Sequence, residues 1–198
     1  LCAEQMLYAA CFRAMAEISE QIGKDGSVYR AEYEKLTAVI EKFFWDEEKG
    51  AYIDSFTSGR RNVTRHANIF AILFSIADEK KQEKILKNVL ENDEIPAITT
   101  PYFNFFELDV LCQMGKLTEV LDKIRSYWGG MLDLGAITFW EEFDPSVPKE
   151  EQYDMYGDHF GKSLCHAWAA SPIYFLAKYF AGLDLVNREE TTYVLKPQ

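Results

Sequence analysis

The chain has 198 residues, nearly half of them apolar, so it can bury a sizeable core at a length that suits one domain. A formal net charge of −11 leaves no Lys/Arg stripe to replace phosphate counterions, which argues against nucleic acid and against an anionic membrane surface as partners. No stretch approaches the ~18–20 continuous apolar residues of a membrane span. Cys2, Cys11, Cys112 and Cys165 have no CxxC and no zinc-type spacing, so buried free thiols are expected, with disulfides as the alternative.

The pattern is helical almost throughout, and it alternates. Residues 3–22 are apolar nearly all round (Met6, Leu7, Ala10, Ala14, Ile18), whereas 28–45 carry a narrower stripe of Leu36, Val39, Ile40 and Phe43. Residues 64–77 are again apolar all round, and 80–91 are striped. The same succession follows in 102–114 and 117–128, and an all-round apolar run closes the series at 163–180. An all-round apolar helix is buried and a striped one faces water on one side. The alternation therefore predicts antiparallel hairpins in an inner and an outer ring.

Connections from a buried helix to the next striped one are short: 23–26, around Asp78, and 115–116. Connections back are long: 46–63, 92–101 and 129–161. One face of the ring is trimmed and the other elaborated, and long loops in a compact domain are usually functional. The elaborated face also receives the N-termini of the buried helices, which favour oxygen-rich ligands. About three and a half hairpins are present. No signal peptide is visible, and the pattern is already under way at Leu1, so the chain reads as a segment of something longer. Thr191–Leu195 has strand character and is expected to open a β module.

The polar groups of interest fall on the elaborated face. Gly135-Ala136-Ile137-Thr138-Phe139-Trp140-Glu141-Glu142 sets a carboxylate against an indole. An apolar wall beside a carboxyl helps it work as an acid or a base; the plainer alternative is a solvated glutamate pair. Ser163-Leu164-Cys165-His166-Ala167-Trp168 sets an imidazole and a second indole in the first turn of a buried helix. They suit a sugar hydroxyl and a sugar face, or else a core histidine beside a core tryptophan. His66, in Thr64-Arg65-His66-Ala67-Asn68, and Pro101-Tyr102-Phe103-Asn104 stand at other buried helix starts. His159 and Asp158 lack metal-ligand spacing. No phosphate loop or nucleophile elbow is present.

Four runs, in order, resemble the bacterial α-L-rhamnosidases, family 78 glycoside hydrolases, over nearly the whole chain. Residues 135–141 are similar to a GATT-x-WE signature and 163–172 to SLCHGWSAGP; 65–68 resemble QHAN and 100–103 TPYF. Ile137, Arg65, Ala167 and Ser171 depart from those patterns. The resemblance implies an all-α (α/α)6 barrel, a six-hairpin toroid of which about half is present. Residues 1–188 would be the C-terminal half of the catalytic domain, and 189–198 the start of a following β segment. It implies an inverting hydrolase of terminal α-L-rhamnosides in a glycan or glycoside, with no metal and no cofactor. Glu141 matches the general base, with Glu142 as the neighbouring fallback. His166 matches a sugar-contacting histidine; Trp140 and Trp168 would be substrate-binding walls. The general acid and most acidic sugar-binding residues belong to the N-terminal half of the barrel, absent here, so the segment alone is expected to be inactive.

Two other readings stay open from the residues alone. One is another α/α-toroid sugar enzyme, an epimerase or lyase using His66, His159 or His166. The other is a non-catalytic carbohydrate-binding helical module.

Overall fold

The computed structural model describes residues 1–187 and 192–197. The chain divides into two compact units, Leu1–Ala97 and Ile98–Gln198. In the first, α1 (Cys2–Gln21) forms a hairpin with α2 (Ser27–Phe44) and also packs on α3 (Arg65–Leu73). A minimal antiparallel ribbon, β1 (Trp45–Asp46) and β2 (Ala51–Tyr52), stands between α2 and α3. The helix α4 (Glu79–Ile85) continues as a π-helical turn, Leu86–Leu90.

In the second unit α5 (Pro101–Gln113) packs against α6 (Leu117–Asp133) and against α7 (Ser171–Phe175), which runs on as a π-helical turn, Leu176–Phe180. A 3-10 turn at Ala167–Ala169 also packs on α5. The strands β3 (Leu183–Asn187) and β4 (Thr192–Leu195) pair antiparallel, with an irregularity between Leu185 and Asn187. β4 covers most of the expected strand; Thr191 and the expected boundary at residues 188 and 189 lie outside the described residues, while β3 was not anticipated.

Inner and outer helices differ as the alternation predicts. In α3, Ala67, Asn68, Ile69, Phe70, Ala71 and Ile72 are buried, whereas α2 buries only Ile40 and Phe44. The short turns after α1, α3 and α5 share one stop. The residue after the C-cap has positive φ and donates to the carbonyl three back; the next N–H reaches five back. This Schellman closure satisfies the last carbonyls and favours glycine. Gly115 supplies it after α5 at φ +74°, but after α3 the position is Ser75, at φ +54°.

Four expectations need correction. The first helix is not buried all round: Leu7, Tyr8, Met15 and Ile18 are exposed, because α2 and α3 cover only the side carrying Cys2, Met6, Ala9 and Ala16. The predicted helix over 163–180 begins only at Ser171. Pro172 cannot accept a preceding helical turn, since its ring would clash with the carbonyl of residue 168 and it has no N–H to give. Helix α6 runs on to Asp133, through Gly129 and Gly130; a Cβ on Gly130 would stand 2.6 Å from the ring of Phe143, so glycine there admits that ring. All four cysteines are free, but Cys11 and Cys165 are exposed while Cys2 and Cys112 are buried. No helix among the described residues is long and apolar enough to cross a membrane.

Candidate active site

The second unit builds its site from the segment after α6 and the segment before α7. Gly135 closes α6 at φ +91°, its N–H donating to Leu132 and that of Ala136 to Met131. From there residues 138–141 run beside 163–166. His166 N–H donates to the carbonyl of Phe139 at 2.8 Å, Glu141 N–H to Ser163 at 2.9 Å, and the Thr138 hydroxyl to the carbonyl of Leu164. The two sequence runs are thus zipped together by main-chain bonds. His166 lies just before the 3-10 turn, in extended backbone, rather than in the first turn of a helix.

The zipped pair is anchored below. Phe143 N–H donates to Thr99 O at 3.1 Å and to the Tyr127 hydroxyl, which itself donates to Thr99 O. Burial pushes the Tyr127 phenol well above its ordinary range. The indole N–H of Trp128 donates to Ala169 O at 2.8 Å. Gln152 holds the intervening loop through its amide, which donates to Asp144 O and Val147 O at 2.6 and 2.8 Å.

Glu141 is only 7% exposed, and both its carboxylate oxygens are engaged. Oε2 accepts from Ser163 N–H at 3.2 Å and lies 3.8 Å from His166 Nδ1, too far for a direct hydrogen bond. Oε1 accepts from the Tyr156 hydroxyl at 3.0 Å. That bond to a carboxylate raises the Tyr156 phenol above its ordinary pKa. The imidazole of His166 lies against the indole of Trp168, ring centres 4.1 Å apart, and Trp168 meets Tyr102 at 5.2 Å. Trp168 is 45% and Tyr102 49% exposed, so the two rings form an open aromatic surface beside the carboxylate.

The remaining predicted residues behave differently. Trp140 is 3% exposed and packs edge-on against Tyr153, so its indole is a supporting wall with no free face. Glu142 accepts from the Thr99 hydroxyl at 3.0 Å and lies 3.8 Å from Lys162 Nζ. Burial lowers the pKa of Lys162, while Glu142 and Asp144 act in the opposite direction. His159 pairs with Asp154 at 2.5 Å on an exposed loop. His66 belongs to the first unit, exposed on the first turn of α3. Its neighbour Arg65 is buried, donating to Leu90 O at 2.9 Å and Asn92 O at 3.3 Å.

Tyr156, Lys162 and the pairing of Tyr102 with Trp168 were not read from sequence. Only Tyr156 left a local trace: it precedes Gly157 in a tight turn, where Met155 and Asp158 exchange both main-chain bonds at 3.0 Å. In the first unit a polar groove of about 760 Å³ is lined by Lys49, Arg61, Asn62, Lys87, Asn88 and Asn92 among others. No aromatic ring and none of the predicted site residues lines it. Among the described residues no three His, Cys, Asp or Glu side chains gather as metal ligands would.

The second unit of this mainly helical chain thus gathers a buried carboxylate, an imidazole and two open aromatic rings. The chain belongs to the bacterial α-L-rhamnosidase family: the model of that family's 6 hairpin glycosidase domain matches residues 2–180. Its fold class is thus the (α/α) six-hairpin toroid, carried in part. Among solved structures, the chain is similar to a rhamnosidase from Klebsiella oxytoca with rhamnose bound, at 29% identity and TM-score 0.77. That match covers 90% of this chain and 34% of that one. It is also similar to the GH78 family rhamnosidase of Bacillus sp. GL1, at 25% identity and TM-score 0.83, over 100% of this chain and 21% of that one. The chain thus spans about a third of the one and a fifth of the other. No curated protein matches it.

Proposed function

We propose that this chain is the C-terminal half of the catalytic domain of an inverting α-L-rhamnosidase, with Glu141 as general base. The observation that carries the reading is a buried carboxylate, held at both oxygens, beside an exposed pair of rings and an imidazole. Family membership favours glycoside hydrolysis over an epimerase, a lyase or a non-catalytic module built on the same architecture. The rhamnose bound in the Klebsiella neighbour supports a rhamnose-containing substrate.

In this mechanism Glu141 takes a proton from a water molecule, which attacks the anomeric carbon as the bond to the leaving oxygen breaks on the opposite face. A second carboxyl protonates that oxygen. Inverting enzymes set the two carboxyl groups roughly 6.5–9.5 Å apart to leave room for the water. The second carboxyl comes from the N-terminal half of the domain. The Ser163 N–H and the Tyr156 hydroxyl fix the direction of the base, and a base already aimed at its water lowers the entropy cost of attack. His166 donates to a sugar hydroxyl, Trp168 and Tyr102 stack on the apolar face of the ring, and Trp140 backs the carboxylate from inside.

The test is hydrolysis of an aryl α-L-rhamnoside by the complete polypeptide, with the first-formed anomer read by proton NMR. The product should be the β-anomer, and the 198-residue segment alone should release no aryl alcohol. Retained configuration would remove the base role from Glu141, and turnover by the isolated segment would contradict the division of the two carboxyls.

A further inference from the structure

We propose that Tyr156 is a positioning residue for the base: its hydroxyl fixes the Glu141 carboxylate from the solvent side, at a conformational cost that stability alone does not explain. The inference rests on the reading of Glu141 as general base.

Tyr156 and Gly157 are the two central residues of a tight hairpin turn between Met155 and Asp158, with φ +55° and +81°. Positive φ at both positions is the type I′ pattern, which selects Asn, Asp or Gly at the first of them. A tyrosine pays there in backbone strain. It gains little burial in return, since it is 81% exposed. Among the described residues its one side-chain hydrogen bond goes to Oε1 of Glu141, at 3.0 Å. The turn itself is fixed independently: a Cβ on Gly161 would fall 2.3 Å from the carbonyl of Met155, so glycine lets the chain fold back tightly against the hairpin.

Strained backbone that persists without a packing reward is characteristic of functional positions. The geometry supplies the function. Ser163 N–H holds Oε2 from the main chain, and without Tyr156 nothing among the described residues holds Oε1. A carboxylate tethered at one oxygen swings about that contact and loses its aim at the attacking water.

The experiment uses the complete polypeptide with Tyr156→Phe, Tyr156→Asn and Glu141→Gln, measured by steady-state kinetics on an aryl α-L-rhamnoside and by thermal unfolding. Tyr156→Phe should lower kcat about 10- to 100-fold with KM within about twofold, since a bond to a charged group is lost without a sugar contact. Tyr156→Asn should lower kcat similarly while its Tm stays level or rises, because asparagine suits the turn. A kcat within twofold of the parent, a change confined to KM, or a fall in Tm that tracks the loss of rate would each overturn the inference. Near-normal turnover by Glu141→Gln would sink the base reading itself. An inactive Glu141→Gln beside an unimpaired Tyr156→Phe would sink only the role of the tyrosine.

Discussion

The two long loops that follow outer helices α2 and α6 start from the same topological position and reach opposite ends. The loop from Trp45 to Thr64 closes on itself. The buried Asp46 carboxylate accepts from the N–H groups of Glu48 and Lys49 at 3.1 Å and from Arg61 at 2.7 Å. Asn68, from α3, bonds both the N–H and the carbonyl of Tyr52, and Thr64 bonds Asp54. Asp46, Arg61, Asn68 and Thr64 thus spend their polar groups on binding this loop to itself and to the start of α3. The segment from Gly135 to Ala170 uses main-chain bonds for closure, as in the pairing of 139–141 with 163–166. His166 and the half-exposed Trp168 of this segment stand beside the buried Glu141 carboxylate, and α5 adds the ring of Tyr102. The first loop is closed largely by its side chains, the second largely by its backbone.

The contrast is broken most severely at Glu141. Glu141→Gln in the complete polypeptide should cost about 10²–10⁴-fold in kcat with sugar affinity retained, whereas Glu142→Gln, which loosens a bond to Thr99, should cost roughly tenfold or less. Equal losses, read by steady-state kinetics and rhamnose calorimetry, would mean the two carboxylates are not divided between chemistry and anchoring. In the other loop the largest effect falls on stability. Asn68→Ala leaves the main-chain groups of Tyr52 buried without partners, and should lower unfolding free energy by about 2–4 kcal/mol in urea titration. A loss below half of that would show that this loop does not depend on its side chains.

Trp168→Ala should raise KM roughly tenfold, or about 1–2 kcal/mol, with kcat and Tm little changed, because the indole is half exposed and its contacts are the imidazole and Tyr102. Alkaline pH should weaken both units. Burial pushes the Cys2 and Cys112 thiols up to about 12, and it drives the phenols of Tyr52, Tyr127 and Tyr179 above their ordinary range. These groups stay protonated in the fold, while in the unfolded chain thiols ionise from about pH 8.5 and phenols from about pH 10. Their contribution is therefore complete at neutral pH and is lost as pH rises through the folded values. Denaturant midpoints from pH 8 to 11 should fall, and less steeply in Cys112→Ala. The smallest effect belongs to Ser75→Gly, which relieves the φ +54° turn after α3 and should add about 0.5–1 kcal/mol.

Much of this was legible because helical periodicity is local. The order of inner and outer helices, the short turns at Gly23 and Gly115, and the long loops follow from which residues are apolar and where glycine can take positive φ. Glu141 and His166 stood out because unlike chemistry was packed into short runs. The error over 163–180 was also local: apolar spacing continues through the run, but Pro172 sets the helix start.

What sequence determined by itself is therefore the hairpin plan, the elaborated loops and the identity of the chemical groups. Only tertiary structure decided that Trp140 faces inward and Trp168 outward, since neighbours in a chain do not reveal which side a distant segment will cover. It also decided that Tyr156 reaches Glu141 across fifteen residues of loop. The carboxylate of Glu141 has its direction from groups at 156 and 163, and no periodicity links those positions to 141.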